Sequence, residues 1–193
     1  MNKGNLVFLL LSMAFCFGCV SHEKKALLII PDRDVQETEL SETRKSLEGI
    51  GFKVVIASPE GKEVNGMSGG SYIPDLAVGK AVESDYTFVA CIGGMGVFDT
   101  LENQEIIALV QEFYNNGKYT TAICGSTAIL ANAGLLEGIE ATTFPNEVFV
   151  STLKKNGAVY IDKEVVVSGK IITANGPGAS AAFGETLARI MKD

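Results

Sequence analysis

Thr121-Ala122-Ile123-Cys124-Gly125-Ser126-Thr127-Ala128 is the stretch whose reading decides the fold. Tyr119 to Ile123 is a short apolar-rich run that reads as a strand, and Ala128 to Leu135 reads as a helix. A strand, a nucleophilic residue and a small residue opening a helix form the layout of a nucleophile elbow. Gly125 provides the residue without bulk that so sharp a turn needs. Cys124 then faces a helix N-terminus, whose dipole and free N–H groups are expected to favour a thiolate. A free cysteine can also be a small core residue. Its place at a strand end favours the reactive reading.

Working outward, Ala26-Leu27-Leu28-Ile29-Ile30 is a continuous apolar run ended by Pro31-Asp32, as expected of a strand covered on both faces. Asp34 and Glu37 have the spacing of a capping box, and Leu40, Thr43, Leu47 and Ile50 mark the stripe of the helix that follows. Lys53 to Ala57 reads as a second strand, and residues 58–85 as loops with small strands, including a segment at Val78 to Val82. Tyr86 to Ile92 reads as a third strand ending in Gly93-Gly94, with Cys91 in its core. Ile106, Leu109, Val110 and Phe113 give the next helix its stripe. A strand is expected near Ile139 to Thr143, a hairpin over Val165–Val167 and Ile171–Thr173, and a last helix from about Ser180 to Met191. Alternating strands and helices predict an α/β fold, a parallel sheet with helices on both faces. Ligands of such sheets bind beyond the carboxyl ends of the strands, which selects the segments after Ile30, Ile92 and Ile123.

Composition narrows the function. The 193 residues are 47% hydrophobic and 20% charged, ordinary values for one globular domain. A net charge of −7 argues against nucleic acid as a partner, because that binding needs a basic face. The start is a different object. Lys3, the apolar Leu6 to Leu11 and the exit Cys16-Phe17-Gly18-Cys19 resemble a bacterial lipoprotein signal. On this reading residues 1–18 are a signal peptide and Cys19 is lipidated. Residues 19–25 are a tether, and residues 26–193 form the domain. The chain would be exported and held to a membrane of the bacterial envelope through its lipid anchor, facing the periplasm or in the outer membrane. Cleavage without a lipid and an uncleaved anchor are the alternatives. Only Cys91 and Cys124 then remain in the domain, too few for a disulfide framework, and the one histidine, His22, lies in the tether. No metal site and no cofactor are expected.

Four features in order resemble the ThiJ/PfpI family, to which the parkinsonism-associated protein deglycase belongs. They are Ala122-Ile123-Cys124, the Gly93-Gly94 turn, Thr142-Thr143-Phe144-Pro145, and Ile172-Thr173-Ala174-Asn175-Gly176-Pro177-Gly178. The resemblance runs from about Ala26 to the C-terminus and implies a flavodoxin-like fold and a homodimer. It also implies a glutamate partner for the elbow cysteine, placed at Glu39 by counting back from Gly51-Phe52-Lys53-Val54, with Glu37 as the alternate. Beside a thiolate such a carboxyl is expected to hold its proton, because adjacent anions repel. In the family's site, Gly94 and Gly125 would offer backbone N–H groups to a developing oxyanion. The family's histidines are absent, Gly125 standing after the cysteine and Phe144 before the proline, so peptidase and amidotransferase activity are not expected.

Two functions follow as expectations. One is an enzyme acting on small reactive carbonyls, glyoxals or early glycation adducts, through Cys124 and Glu39. The other is an oxidative-stress protein, a sensor or chaperone without turnover, in which Cys124 is oxidised to sulfinate. The partner is a small electrophile in the first and an oxidant in the second.

Overall fold

A computed structural model describes residues 23–192. The signal segment, Cys19 and His22 lie outside the described residues. The chain runs β1 (Lys25–Ile29), α1 (Glu37–Glu48), β2 (Lys53–Ser58), β3 (Val64–Asn65), β4 (Ser71–Tyr72), β5 (Leu76–Ala77) and β6 (Phe88–Cys91). It continues through α2 (Gln104–Asn115), β7 (Tyr119–Ile123), α3 (Thr127–Asn132), β8 (Glu140–Ala141), α4 (Glu147–Lys155), β9 (Val159–Tyr160), β10 (Val165–Ser168), β11 (Ile171–Ala174) and α5 (Ser180–Met191).

Seven strands form one sheet in the order β10-β11-β7-β6-β1-β2-β5. All its pairings are parallel except β10 with β11, the hairpin expected from Ser168-Gly169-Lys170. The two-residue period of a strand divides the core between the faces. Leu27, Ile29, Val89 and Cys91 pack with Ile106, Leu109, Val110 and Phe113 of α2 and with α3 and α4. Ala26, Leu28, Phe88 and Ala90 point the other way, to Leu40 and Leu47 of α1 and Phe183, Leu187 and Met191 of α5. A strand buried on both sides must be apolar throughout, which is why β1 reads as an unbroken run.

Several local expectations fail for identifiable reasons. Asp34 is not the cap of α1. It sits at φ 49, and the cap is Gln36, whose Oε1 accepts a hydrogen bond from the Thr38 N–H at 2.9 Å. Glu37 instead reaches across to the loop between β3 and β4, accepting from the backbone N–H of Ser68 at 2.7 Å and of Gly70 at 2.8 Å. Its carboxyl satisfies a distant turn rather than its own helix. Val78–Lys80 is a 3-10 turn, the strand near Ile139 shortens to β8, and the helix after the elbow stops at Asn132. Helix α4, capped by Asn146 and buried through Phe149 and Leu153, was not expected. Its signal lies in Asn146-Glu147 followed by apolar residues four apart.

Helices α1 and α5 touch at Gly184, where a Cβ would lie 2.6 Å from Ser46 Oγ and 2.9 Å from the Glu42 carbonyl oxygen. Alanine is the better helix former by about 1 kcal/mol, but forcing two packed backbones apart costs about 1–3 kcal/mol. Gly184→Ala is therefore expected to destabilise the fold by about 1–2 kcal/mol in urea unfolding. An unchanged or higher midpoint would show that α1 and α5 are free to separate.

Candidate functional site

Strands β1, β6 and β7 lie side by side and end together, so the loops after them meet. Ile123 ends β7 in extended backbone, and Cys124 turns to φ 63, one of two non-glycine residues with positive φ among those described. A non-glycine residue held there costs about 1–3 kcal/mol, so surrounding contacts must fix it. Two hydroxyls do so. Thr143 Oγ1 donates to the Cys124 carbonyl at 2.9 Å, and Ser126 Oγ donates to the Ile92 carbonyl at 2.8 Å. The Thr142 N–H donates to Thr173 Oγ1 at 2.9 Å, which ties the loop carrying Thr143 to β11. Thr143 and Ser126 are supporting residues of the turn that the sequence reading did not single out, although both lie inside motifs it quoted.

Glu39, in the first turn of α1, is fully buried and reaches the same place. Its Oε2 accepts from the Gly93 N–H at 2.9 Å, while the Gln36 N–H donates to the Gly93 carbonyl at 2.9 Å. Gly93 is the point where the pair meets. A Cβ there would lie 2.5 Å from Cys124 Cβ, 2.8 Å from Glu39 Oε2 and 3.0 Å from Cys124 Sγ. Only glycine lets cysteine and carboxyl close over it. Gly94, at φ 136, has no room for a side chain because the Asp34 carbonyl occupies that position. Of the expected site residues, Cys124, Glu39, Gly94 and Gly125 converge; Glu37, the alternate, faces the Ser68 loop. Cys91 is buried in β6 as a core residue.

The protonation of the pair differs from expectation. Burial pushes Glu39 up to about 7, against the pull of the Gly93 N–H and of Cys124. Burial also pushes the Cys124 thiol up to about 12, and the negative charge of Glu39 adds to the rise. The backbone N–H groups of Gly125 and Gly94 pull the other way but do not prevail. Desolvation thus outweighs the helix-end donors in the direction of the shift. The carboxyl holds its proton up to neutral pH for the same reason, not because a thiolate lies beside it. Its second oxygen, Oε1, is buried without a hydrogen-bond partner among the described residues.

Above the pair is a pocket of about 260 Å³ lined by Gln36, Met67, Met95, Phe98, Phe144 and Phe149, among others, with Cys124 in its wall. Phe98 and Phe149 stack with centroids 4.9 Å apart. Among the described residues no cluster of histidine, cysteine and carboxylates is placed to hold a metal ion. The arrangement supplies a sulfur nucleophile, a carboxyl that titrates near neutrality, and two backbone donors for an oxygen bearing negative charge.

Comparison with known proteins agrees with this fold. Residues 24–190 match the family described as DJ-1/PfpI. The chain is 38% identical over 171 residues to an uncharacterised protein of Methanocaldococcus jannaschii, covering 88% of this chain and 83% of that one. It is 27% identical to a glutathione-independent glyoxalase of Caenorhabditis elegans, covering 83% and 85% of the two chains. With a deglycase of Pyrococcus horikoshii it shares 25% identity over 86% of this chain and 99% of that one. Among solved structures, a ThiJ/PfpI domain protein of Brachyspira murdochii superposes with a TM-score of 0.83 at 27% identity, covering 88% and 97%. Drosophila melanogaster DJ-1beta superposes with a TM-score of 0.78 at 28% identity, covering 88% and 91%.

The charge of Glu39 raises the thiol, so its removal should lower it. In Glu39→Gln the rate of Cys124 alkylation by iodoacetamide is expected to rise at lower pH than in the native protein. Rate–pH curves that coincide, or a shift to higher pH, would show that Glu39 does not set the acidity of the sulfur.

Proposed function

The chain belongs to the DJ-1/PfpI family, and we propose that within it this protein acts on small reactive carbonyls through Cys124 and Glu39. The observation that carries the reading is the convergence of the two side chains over Gly93 at the wall of a pocket. The names of the glyoxalase and deglycase relatives support the reaction class.

For an α-oxo-aldehyde the steps balance without another reactant than water. Sulfur adds to the aldehyde carbon while the thiol proton passes through Glu39 to the carbonyl oxygen, forming a hemithioacetal. Gly94 and Gly125 are the N–H donors suited to that oxygen. Glu39 then takes the C–H proton and returns it to the neighbouring carbon, while the hydroxyl proton passes to the neighbouring oxygen, leaving a thioester that bears an α-hydroxyl. Water cleaves the thioester to an α-hydroxy acid and frees the thiol. A carboxyl with a pKa of about 7 is matched to both halves of this transfer at neutral pH.

A second reading is oxidation of Cys124 to a sulfinate, which consumes two equivalents of peroxide and releases two of water. The unpartnered Oε1 of Glu39 favours it, because a protonated carboxyl there could donate to a sulfinate oxygen. Toxoplasma gondii DJ-1, 28% identical to this chain, was solved in an oxidised form. One comparison separates the readings. The purified protein is expected to consume methylglyoxal, and Cys124→Ser to lose at least a hundredfold of that rate, the scale of a lost nucleophile. Consumption that survives in Cys124→Ser would overturn the first reading. No turnover, with selective oxidation of Cys124 over Cys91 by dilute peroxide, would favour the second.

We further propose that the protein is exported, lipidated at Cys19 and held at the bacterial envelope as a homodimer. The leader composition supports the export. Among the described residues no helix is long and apolar enough to cross a membrane. Cys19→Ala is expected to move the protein from the membrane to the soluble fraction. An unchanged membrane fraction would remove lipidation from the proposal.

A further inference from the structure

The proposed reaction leaves open which carbonyl compounds fit, and three phenylalanine rings bear on that choice. Phe149 occupies the space a side chain at Gly125 would take, with its ring directly against that residue. Phe98 stacks on it at an interplanar angle of 25° and stays 42% exposed. Phe144 covers Gly176, where a Cβ would lie 2.8 Å from the Phe144 ring and 3.8 Å from Cys124 Sγ. Phe144 is 38% exposed. Met67 and Met95 complete an apolar rim.

The polar lining is one-sided. Among the described residues Gln36 and Asn146 are its only polar side chains besides Cys124, and the side-chain oxygen of each already caps a helix. Gln36 Oε1 accepts from the Thr38 N–H at 2.9 Å, and Asn146 Oδ1 accepts from the Val148 N–H at 2.8 Å. What these side chains have left for a ligand is mainly their amide N–H groups, with one further lone pair on each oxygen. Among the described residues no charged side chain lines the pocket. A carbonyl head, which only accepts hydrogen bonds, suits such a wall. A sugar-derived adduct brings several hydroxyl donors that would lose water with few acceptors to replace it, and an adduct on lysine or arginine can add a positive charge.

We infer that Phe98, Phe144 and Phe149 form a specificity surface selecting free α-oxo-aldehydes that carry an aromatic or branched apolar substituent, over methylglyoxal and over glycation adducts. The inference rests on the carbonyl reading for its reaction, while the apolar preference itself concerns the pocket. The flat faces of Phe98 and Phe144 take the substituent, and the donors of Gln36 and Asn146 face its carbonyl oxygens. Filling such a surface with one apolar group is worth on the order of tenfold or more in discrimination.

Two measurements on the purified chain test this, each against Cys124→Ser as blank. The first compares kcat/KM for phenylglyoxal, methylglyoxal and a fructosyl-lysine peptide. The second compares alkylation of Cys124 by N-benzyliodoacetamide and by iodoacetamide, each rate divided by that for glutathione, and needs no turnover. The expected result is a preference of about tenfold or more for the aromatic member in both. Phe98→Ala should cut it severalfold, and Phe98→Leu should restore part of it. Equal rates for aromatic and small reagents, or a preference unmoved in Phe98→Ala, would overturn the inference. Turnover of methylglyoxal without an aromatic preference would leave the carbonyl reading standing and remove this one. An aromatic preference in alkylation without turnover of any aldehyde would do the reverse.

Discussion

Everything at the site depends on the close approach over Gly93. Three strands of a parallel sheet end at one level, and each loop that leaves them would fill the same space if it carried side chains. At Gly93 it does not, so Cys124 from beyond β7 and Glu39 from α1 meet across a bare backbone. The Gly93 peptide is more than a gap. Its N–H donates to Glu39 and its carbonyl accepts from Gln36, so the start of α1 is joined to the end of β6 beside Cys124. A side chain there would separate the nucleophile from its carboxyl and break the register between helix and strand.

The strained turn at Cys124 belongs to the same constraint. A sulfur leaving β7 in extended backbone would continue along the strand, whereas φ 63 turns it over Gly93. The cost is met locally by neighbouring segments, with Thr143 binding the Cys124 carbonyl and Ser126 binding the end of β6. Thr143 is held in turn by a loop pinned to Thr173 of β11. The motifs that looked separate along the chain are parts of one clamp. Their order in sequence follows the order of strands around the site.

How much of this could be read beforehand depends on where the determining contact lies. The unbroken run at Ala26 to Ile30 and the stripe Ile106, Leu109, Val110 and Phe113 are legible because burial imposes its period on neighbouring residues. The elbow is legible for the same reason, as a strand, a nucleophile and a glycine are consecutive. Asp34 and Glu37 were misread because their spacing is shared by a capping box and by a carboxylate that serves a loop some thirty residues on. No local pattern distinguishes the two. The pocket was the least legible part. Met67, Met95 and Phe98 lie in loops and turns without periodicity, and become neighbours only when the strand ends meet.

Burial of the pair also bears on what the missing histidine means. An imidazole commonly serves a cysteine because it titrates near neutrality and can take and return a proton there. An ordinary carboxylate is too weak a base for that exchange. Here the protein removes water from Glu39 until its pKa reaches about 7, the range an imidazole would occupy. The same desolvation raises the sulfur's pKa, which favours its protonated form. In the proposed addition to a carbonyl, the ionised fraction of Glu39 would take the thiol proton, so the negative charge would pass to the forming oxygen rather than appear anew in a dry pocket. The backbone donors of Gly94 and Gly125 face that change of charge. On the proposed mechanism a raised thiol pKa is compatible with reactivity, because a transfer within the pair would lower the barrier in place of a standing thiolate.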